Sequence, residues 1–341
     1  MSAIQLPPGF DDRALARAAV FAAGAGAARD RMAAIAGGPI PIRALDLMDF
    51  AAVEFPARTR IIDPWLSSGD VSMVFGPRGL GKTNLLLALA LAVASGGTFG
   101  PWRSTRPHKT VYLDGEMGAS SLQQRLLMHL NDTEPERDFF RIFNPDLLPR
   151  GVSLPDLSTL EGQAAADESI DDSEVVVLDN LSCWCRSGVE NEGESWLSVQ
   201  QWLSTLRRRG ISTILVHHAG KNGQQRGTSR REDALDTVLE LRRPADYDAR
   251  QGCKFEISFS KARHLSGEEA QSLSMQMTTS PDGRATWTWS TLESSTFERV
   301  ADLAREGLTP GEIAVELALH KSSVSRHLRA AREAGVLEGR P

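Results

Sequence analysis

The stretch that most narrows the possible folds is Gly76-Pro77-Arg78-Gly79-Leu80-Gly81-Lys82-Thr83, which matches G-x-x-x-x-G-K-[ST] at every fixed position. An apolar run, Val71-Ser72-Met73-Val74-Phe75, leads into it, and a helix-forming run, Leu85 to Ala94, leads out. A strand turned sharply into a helix leaves backbone N–H groups aimed at one point, and glycines let the chain wrap a polyphosphate there. The positive end of the helix dipole adds to the attraction. The pattern therefore predicts a phosphate cradle over Gly76, Pro77, Arg78, Gly79, Leu80, Gly81, Lys82, Thr83 and Asn84. Lys82 would reach the β- and γ-phosphates, and the Thr83 hydroxyl would ligate Mg²⁺. The expected cofactors are ATP and Mg²⁺, although no residue specifies adenine.

A chain of 341 residues with 41% apolar and 24% charged content has room for a full-sized core, and is expected to hold one large domain and a small one. Its longest apolar run, Leu85 to Ala94, is far short of the ~20 residues needed to cross a bilayer, so no membrane partner is expected. Arg13, Arg17, Arg29 and Asp30 interrupt the N-terminal alanines, so no cleavable leader is expected and the expected location is the cytoplasm. Cys183, Cys185 and Cys253 are odd in number and lack paired metal spacing, which points to simple thiols. The net charge of −6 argues against a protein that coats nucleic acid, but its distribution is uneven. Glu161 to Glu174 carries acids and no base, whereas Lys221 to Arg231 carries bases and no acid, so nucleic-acid contact would be local.

Residues 10 to 36 are alanine-rich with helical spacing and end at Gly37-Gly38-Pro39, predicting an N-terminal arm over 1–44 that either packs locally or docks on a neighbouring subunit. From residue 45 to 293 the pattern is that of an alternating α/β domain. Strands are expected at Val71 to Phe75, Thr110 to Leu113, Val175 to Leu178, Ser212 to Val216, Thr237 to Leu241 and Phe255 to Ser260. Most are nearly continuous apolar runs, as strands covered on both faces must be, which predicts a mainly parallel sheet wrapped by helices. Ser272 to Thr278 and Ala285 to Ser290 alternate apolar and polar residues around Ser280-Pro281-Asp282-Gly283, predicting an antiparallel hairpin at the sheet's end.

Val175-Val176-Val177-Leu178-Asp179 is an apolar strand ending in a carboxylate, the arrangement that holds Mg²⁺ beside a phosphate loop. Asn180 follows it where the AAA+ class has its water-activating glutamate, so that acid must come from elsewhere. Thr110-Val111-Tyr112-Leu113-Asp114-Gly115-Glu116 offers Glu116, with Asp114 as the competing candidate. A base at the end of a separate strand marks the RecA-like class of P-loop NTPase. Ile214-Leu215-Val216-His217-His218 ends another strand in polar groups, where a neutral imidazole could hydrogen-bond the γ-phosphate and relay its loss. Beyond it, the segment from Ala219 to Arg231 is polar, glycine-containing and basic. It is either a solvated loop or a single-stranded DNA contact through Lys221, Arg226 and Arg230. Lys261 and Arg263 sit at the end of a further strand, where an arginine could reach a neighbour's γ-phosphate.

In this order the motifs resemble the RecA-like hexameric helicases, particularly the plasmid-encoded RepA-type replicative helicases, over about residues 55 to 290. The resemblance implies a water-activating role for Glu116 and places the histidine-bearing strand end at His217 and His218. It also implies that the basic segment with Arg226-Gly227-Thr228-Ser229 precedes the next strand, that Lys261 and Arg263 act across a subunit boundary, and that ATP use accompanies ring assembly.

Past that region, 294–341 reads as a small helix-turn-helix domain of winged-helix type. Thr296 to Glu306 shows one apolar helical face, Thr309-Pro310-Gly311-Glu312 spells a capping box with proline at N1, and Ser322 to Ala334 carries Val324, Leu328 and Ala331 inward. Gly335-Val336-Leu337-Glu338 is expected to begin a strand. Lys321, Ser322, Ser323, Ser325, Arg326 and Arg329 would face outward from the recognition helix toward duplex DNA, the competing use being protein contact. The expectation is an ATP-hydrolysing, ring-forming helicase or translocase, a hexamer as the resemblance implies, serving plasmid or mobile-element replication with other proteins of that process. An ATP-gated DNA-binding regulator or partitioning factor is the alternative, and a plain NTPase subunit a third.

Overall fold

The computed structural model describes residues 44–55, 57–130, 134–186, 193–219, 234–245 and 247–337, the side chains of 193–195 and 294–295 excepted. The expected arm up to residue 43 and the basic residues Lys221, Arg226 and Arg230 lie outside the described residues. The chain divides into two units at Arg58/Thr59. In the first, α1 (Leu47–Ala51) is started by Asp46, whose side chain accepts from the backbone N–H groups of Met48 and Asp49.

The second unit opens with a small antiparallel pair, β1 (Arg60–Ile62) and β2 (Leu66–Ser67), followed by β3 (Val71–Gly76) and α2 (Lys82–Ser95). Another short pair, β4 (Thr98–Phe99) and β5 (Trp102–Arg103), leads to β6 (Thr110–Asp114), α3 (Ala119–His129) and β7 (Phe140–Phe143). Then come α4 (Leu160–Ile170), β8 (Val175–Asp179), α5 (Leu181–Trp184), α6 (Gly193–Arg208) and β9 (Ser212–His218). β10 (Thr237–Arg242), β11 (Cys253–Ala262), β12 (Leu273–Thr279) and β13 (Ala285–Thr291) complete the strands, and α7 (Leu292–Arg305), α8 (Pro310–Glu316) and α9 (Lys321–Glu333) close the chain.

The central sheet is nine-stranded, in the order β13-β12-β11-β10-β3-β9-β8-β6-β7. From β10 to β7 all neighbours run parallel. The antiparallel part begins at β11, one strand earlier than the sequence pattern suggested, because the 243–252 connection is too short for a crossover helix. β7 escapes notice in the sequence because it is a four-residue, half-buried edge strand. In β3, β6, β8 and β9 every residue is buried, which explains their unbroken apolar runs.

Period-two alternation divides the core between the two sheet faces. Val74, Tyr112, Val177 and Val216 face the side covered by α2 and α3, while Met73, Leu113, Leu178 and Leu215 face α4, α5 and α6. α2 buries residues all round its axis, Leu85 to Leu91 without a break, so it lies under further chain as well as on the sheet.

The C-terminal helices pack Val300, Ile313, Ala314, Leu317, Val324 and Leu328 together. Thr309 and Glu312 cap α8 reciprocally, with Pro310 at its first turn. The strand expected from Gly335 is not formed over the described residues 335–337. Gly335 takes φ +69°, its N–H donates to the Arg332 carbonyl and Val336 N–H to that of Ala331, so these residues end α9 in a Schellman turn. Leu337 then folds back onto the helical core.

Candidate functional site

The loop from Gly76 to Gly81 leaves β3 and enters α2 with two glycines at positive φ, Gly79 and Gly81. Gly81 is required twice over. Its φ is +106°, and a Cβ there would stand 2.3 Å from Cys253 Sγ. A Cβ on Gly76 would meet the Leu241 carbonyl oxygen at 2.6 Å, so β10 fixes the other end of the loop. Lys82 turns back over the loop, donating from Nζ to the carbonyls of Gly76 at 2.8 Å and Pro77 at 2.7 Å. Burial lowers its ammonium to about 8, against the pull of Asp179 and Glu116. Among the cradle residues, Leu80 is a buried core side chain whose backbone carries the turn, Arg78 is exposed, and Asn84 Oδ1 is buried without a hydrogen-bond partner among the described residues.

Strand register brings the acids to this loop. Asp114 pairs with Asp179 across β6 and β8, and Gly76 pairs with His218 across β3 and β9. All four share the face that carries α2. Asp179 Oδ2 accepts from the Thr83 hydroxyl at 2.8 Å and from the Tyr112 hydroxyl at 2.6 Å. Burial raises the Asp179 carboxyl, against those two hydrogen bonds. Asp114 is completely buried, takes the Met117 N–H at 3.1 Å and Asn144 Nδ2 at 2.7 Å, and is pushed up to about 7 by burial and by Asp179.

Glu116, two residues on, is about half exposed and hydrogen-bonds Asn180 Nδ2, with His218 Nε2 3.3 Å from the same carboxylate oxygen. Of the two candidate acids, Asp114 is tied into the floor of the site and Glu116 stands at its mouth. The two histidines part company as well. His218 joins Glu116, and burial together with Lys82 lowers its imidazole. His217 is buried on the opposite sheet face, as strand alternation requires.

Lys261 and Arg263 are not part of this assembly. Lys261 pairs with Val238 near the start of β10, so the two cations lie at the end of the sheet remote from this chain's own cradle. Arg263 there is 3.7 Å from Asp236. On α9, Lys321, Ser322, Ser325, Arg326 and Arg329 are exposed, while Ser323 and Arg326 line a crevice of about 440 Å³ shared with Gln271, Ser272 and Glu293. Arg326 stands 3.8 Å from Glu293, and His327 is buried against Phe297.

Tyr112, Asn144, Asn180 and Arg243 were not singled out from the sequence as site residues. Tyr112 sits two residues below Asp114 on the same strand face, a signal that period two makes readable. Arg243, which donates to the Gly79 carbonyl at 3.2 Å and lies over the Tyr247 ring at 3.9 Å, has no such signal, since a turn brings it there.

The donor set suits a triphosphate with Mg²⁺. The loop accepts no Cβ at Gly76 or Gly81, its lysine is held poised on carbonyl oxygens, and the hydroxyl and carboxylate at Thr83 and Asp179 are hard oxygen donors side by side. A strand-loop-helix cradle beside an acid-ended strand, with another strand lying between the two in a mainly parallel sheet, defines a P-loop ATPase domain of RecA-like fold. The chain belongs to the AAA domain family, whose model matches residues 39–224. No curated protein sequence matches the chain. Among solved structures it is similar to the RadB recombinase, at 17% identity over 62% of this chain and 88% of that one, with a TM-score of 0.42. It is also similar to a KaiC-like protein from Pyrococcus horikoshii OT3, at 17% identity over 66% and 93% of the two chains, with a TM-score of 0.43. Among the described residues, no helix is long and apolar enough to cross a membrane.

Proposed function

We propose that the protein is an ATP- and Mg²⁺-dependent motor acting on DNA, a ring-forming helicase or translocase of plasmid or mobile-element replication. The observation that most supports it is the gathering of Lys82, Thr83, Asp179, Glu116 and His218 where β3, β6, β8 and β9 end. Lys82 gives up its two carbonyl partners for the phosphates and offsets their charge. Mg²⁺, held by Thr83 and beside Asp179, would neutralise further phosphate charge. Glu116 takes a proton from the attacking water, and His218 senses the γ-phosphate. Lys261 and Arg263 act on the next subunit's nucleotide, a role their distance along the sheet from their own cradle favours. Such head-to-tail contacts close into a ring, which we take to be a hexamer.

In this reading residues 45–293 are the ATPase domain and 294–341 a helix-turn-helix domain that docks duplex DNA through Lys321, Ser323, Ser325, Arg326 and Arg329. Lys221, Arg226 and Arg230 follow single-stranded DNA in the ring channel. The test is ATP turnover with and without single-stranded DNA, with mass by light scattering. Turnover should rise with the single strand, mass should be several times that of one chain, and Lys221→Ala with Arg226→Ala should remove the stimulation.

A second reading, an ATP-gated DNA-binding regulator, is favoured by the exposed basic face of α9. It takes over if turnover ignores single strands while binding to one duplex sequence requires ATP.

A further inference from the structure

We infer that the side-chain amide of Asn180 ties the water-activating carboxylate of Glu116 to the imidazole of His218, so that base and sensor move as one unit. This rests on the ATPase reading of the site. Asn180 is buried at the end of β8 and touches groups from three directions. Its Oδ1 accepts the Cys183 N–H at 3.3 Å, capping α5. That contact sets the orientation of the amide, because the oxygen faces a donor and the nitrogen must then face acceptors. Nδ2 does so on both sides, hydrogen-bonding Glu116 Oε2 and standing 3.1 Å from His218 Nε2.

An amide nitrogen carries two protons, one for each of these acceptors. The assignment also fixes the ring. With Nε2 accepting, the proton of neutral His218 sits on Nδ1, a buried atom without a hydrogen-bond partner among the described residues. Burial first, then Lys82 on α2 and Arg78 on the loop, oppose a charge on His218, while Glu116 favours it. The amide holds the tautomer in which Glu116 Oε2 and His218 Nε2 both accept; without it the ring would take the other tautomer, with Nε2–H donating to the carboxylate across 3.3 Å. With it, the half-exposed Glu116 side chain is aimed from the ends of β8 and β9 together. Asn180 is thus a positioning residue, acting on the reaction through Glu116.

Asn180→Asp separates this role from helix capping. The aspartate keeps an oxygen for the Cys183 N–H, and Asp and Asn cap helices equally well, but both protons are lost. If the amide links Glu116 to His218, kcat for ATP falls about 10²-fold. KM and the binding of ADP, followed by fluorescence titration, stay within about threefold, and Tm stays within a few degrees of wild type. Adding His218→Ala to Asn180→Asp then costs little more, because the pair already acts as a broken unit. Asn180→Ala, which removes cap and donors together, gives the same loss of kcat should the aspartate variant fold poorly. Turnover of Asn180→Asp close to wild type overturns the link, and so do losses from Asn180→Asp and His218→Ala that multiply. A wild-type chain that hydrolyses no ATP overturns the ATPase reading itself.

Discussion

The two ends of the central sheet carry the same kinds of side chain in opposite electrostatic states. At the end where β6 and β8 begin, Glu174 is gripped by Arg106, with His108 3.2 Å away, and although burial opposes it, the pair hold its carboxyl below the usual range. Lys109 and Arg141 do the same for Asp172. Nearby, Asp236 accepts the Val71 N–H at 3.0 Å and pairs with Arg207. At the other end, burial raises the carboxyls of Asp114 and Asp179 and lowers the ammonium of Lys82. Where Glu174 and Asp172 are matched by these cations, the ion pairs serve the fold. Where both signs are pushed toward neutrality, the site holds polar capacity that the protein itself leaves unused, which is what a charged ligand requires.

The sharpest way to break this contrast is to remove the groups at the strained end. Lys82→Ala is expected to lower ATP turnover by about 10³-fold, the scale of losing one preorganised donor to a developing charge. Glu116→Gln should lower kcat by about 10² to 10⁴-fold while nucleotide still binds. Steady-state rates with a separate ADP titration read both, and turnover that survives Glu116→Gln would return the base to Asp114.

A milder test uses acid and alkali. The ordinary Asp carboxyl titrates at 3.8, but in the folded chain Asp114 does so at about 7. Between these values the folded state binds the extra proton, so this group costs stability progressively as pH rises from about 4 to about 7. Asp114→Asn keeps an oxygen for Asn144 and Met117 and removes the titration. Without nucleotide, its unfolding free energy should gain on wild type across that range, by up to a few kcal/mol at ~1.4 kcal/mol per pKa unit, and its Tm should rise relative to wild type accordingly. Parallel Tm curves for the two chains would show that Asp114 is not under strain.

Much of this contrast is legible in the sequence at one end only. The cradle announces itself because glycine spacing, lysine and hydroxyl are all dictated by one ligand, Asp179 because it ends an apolar strand, and Glu116 because it follows the end of another by two residues. The choice of His218 over His217 needs no more than alternation along β9, once the face bearing α2 is known. Asn180 is different. Its neighbours come from β6 and β9, and no local pattern records that three strand ends converge. Phe255 to Ser260 alternates apolar and polar residues, the pattern of a strand with one wetter face, yet its antiparallel direction is set by the short 243–252 connection and not by the strand itself. The strand expected from Gly335 gives way over 335–337 because Gly335-Val336-Leu337 suits a Schellman turn as well as a strand.

The smallest expected effect lies at the matched end. Arg106 donates to both carboxylate oxygens of Glu174, at 2.6 and 3.1 Å, but about half of its side chain is in water. Solvent screens such a pair, so Arg106→Ala should cost only about 0.5–1 kcal/mol of stability. Glu174 keeps His108 and the Lys109 N–H, at 3.2 and 3.3 Å, so its carboxyl is not left bare. Because Arg106 precedes β6 and lies a full strand length from Glu116, kcat for ATP should not change. Denaturant unfolding beside ATP turnover measures both quantities. A loss of turnover larger than the loss of stability would mean that the matched end is coupled to the strained one along β6, and the division between a structural end and a chemical end would fail.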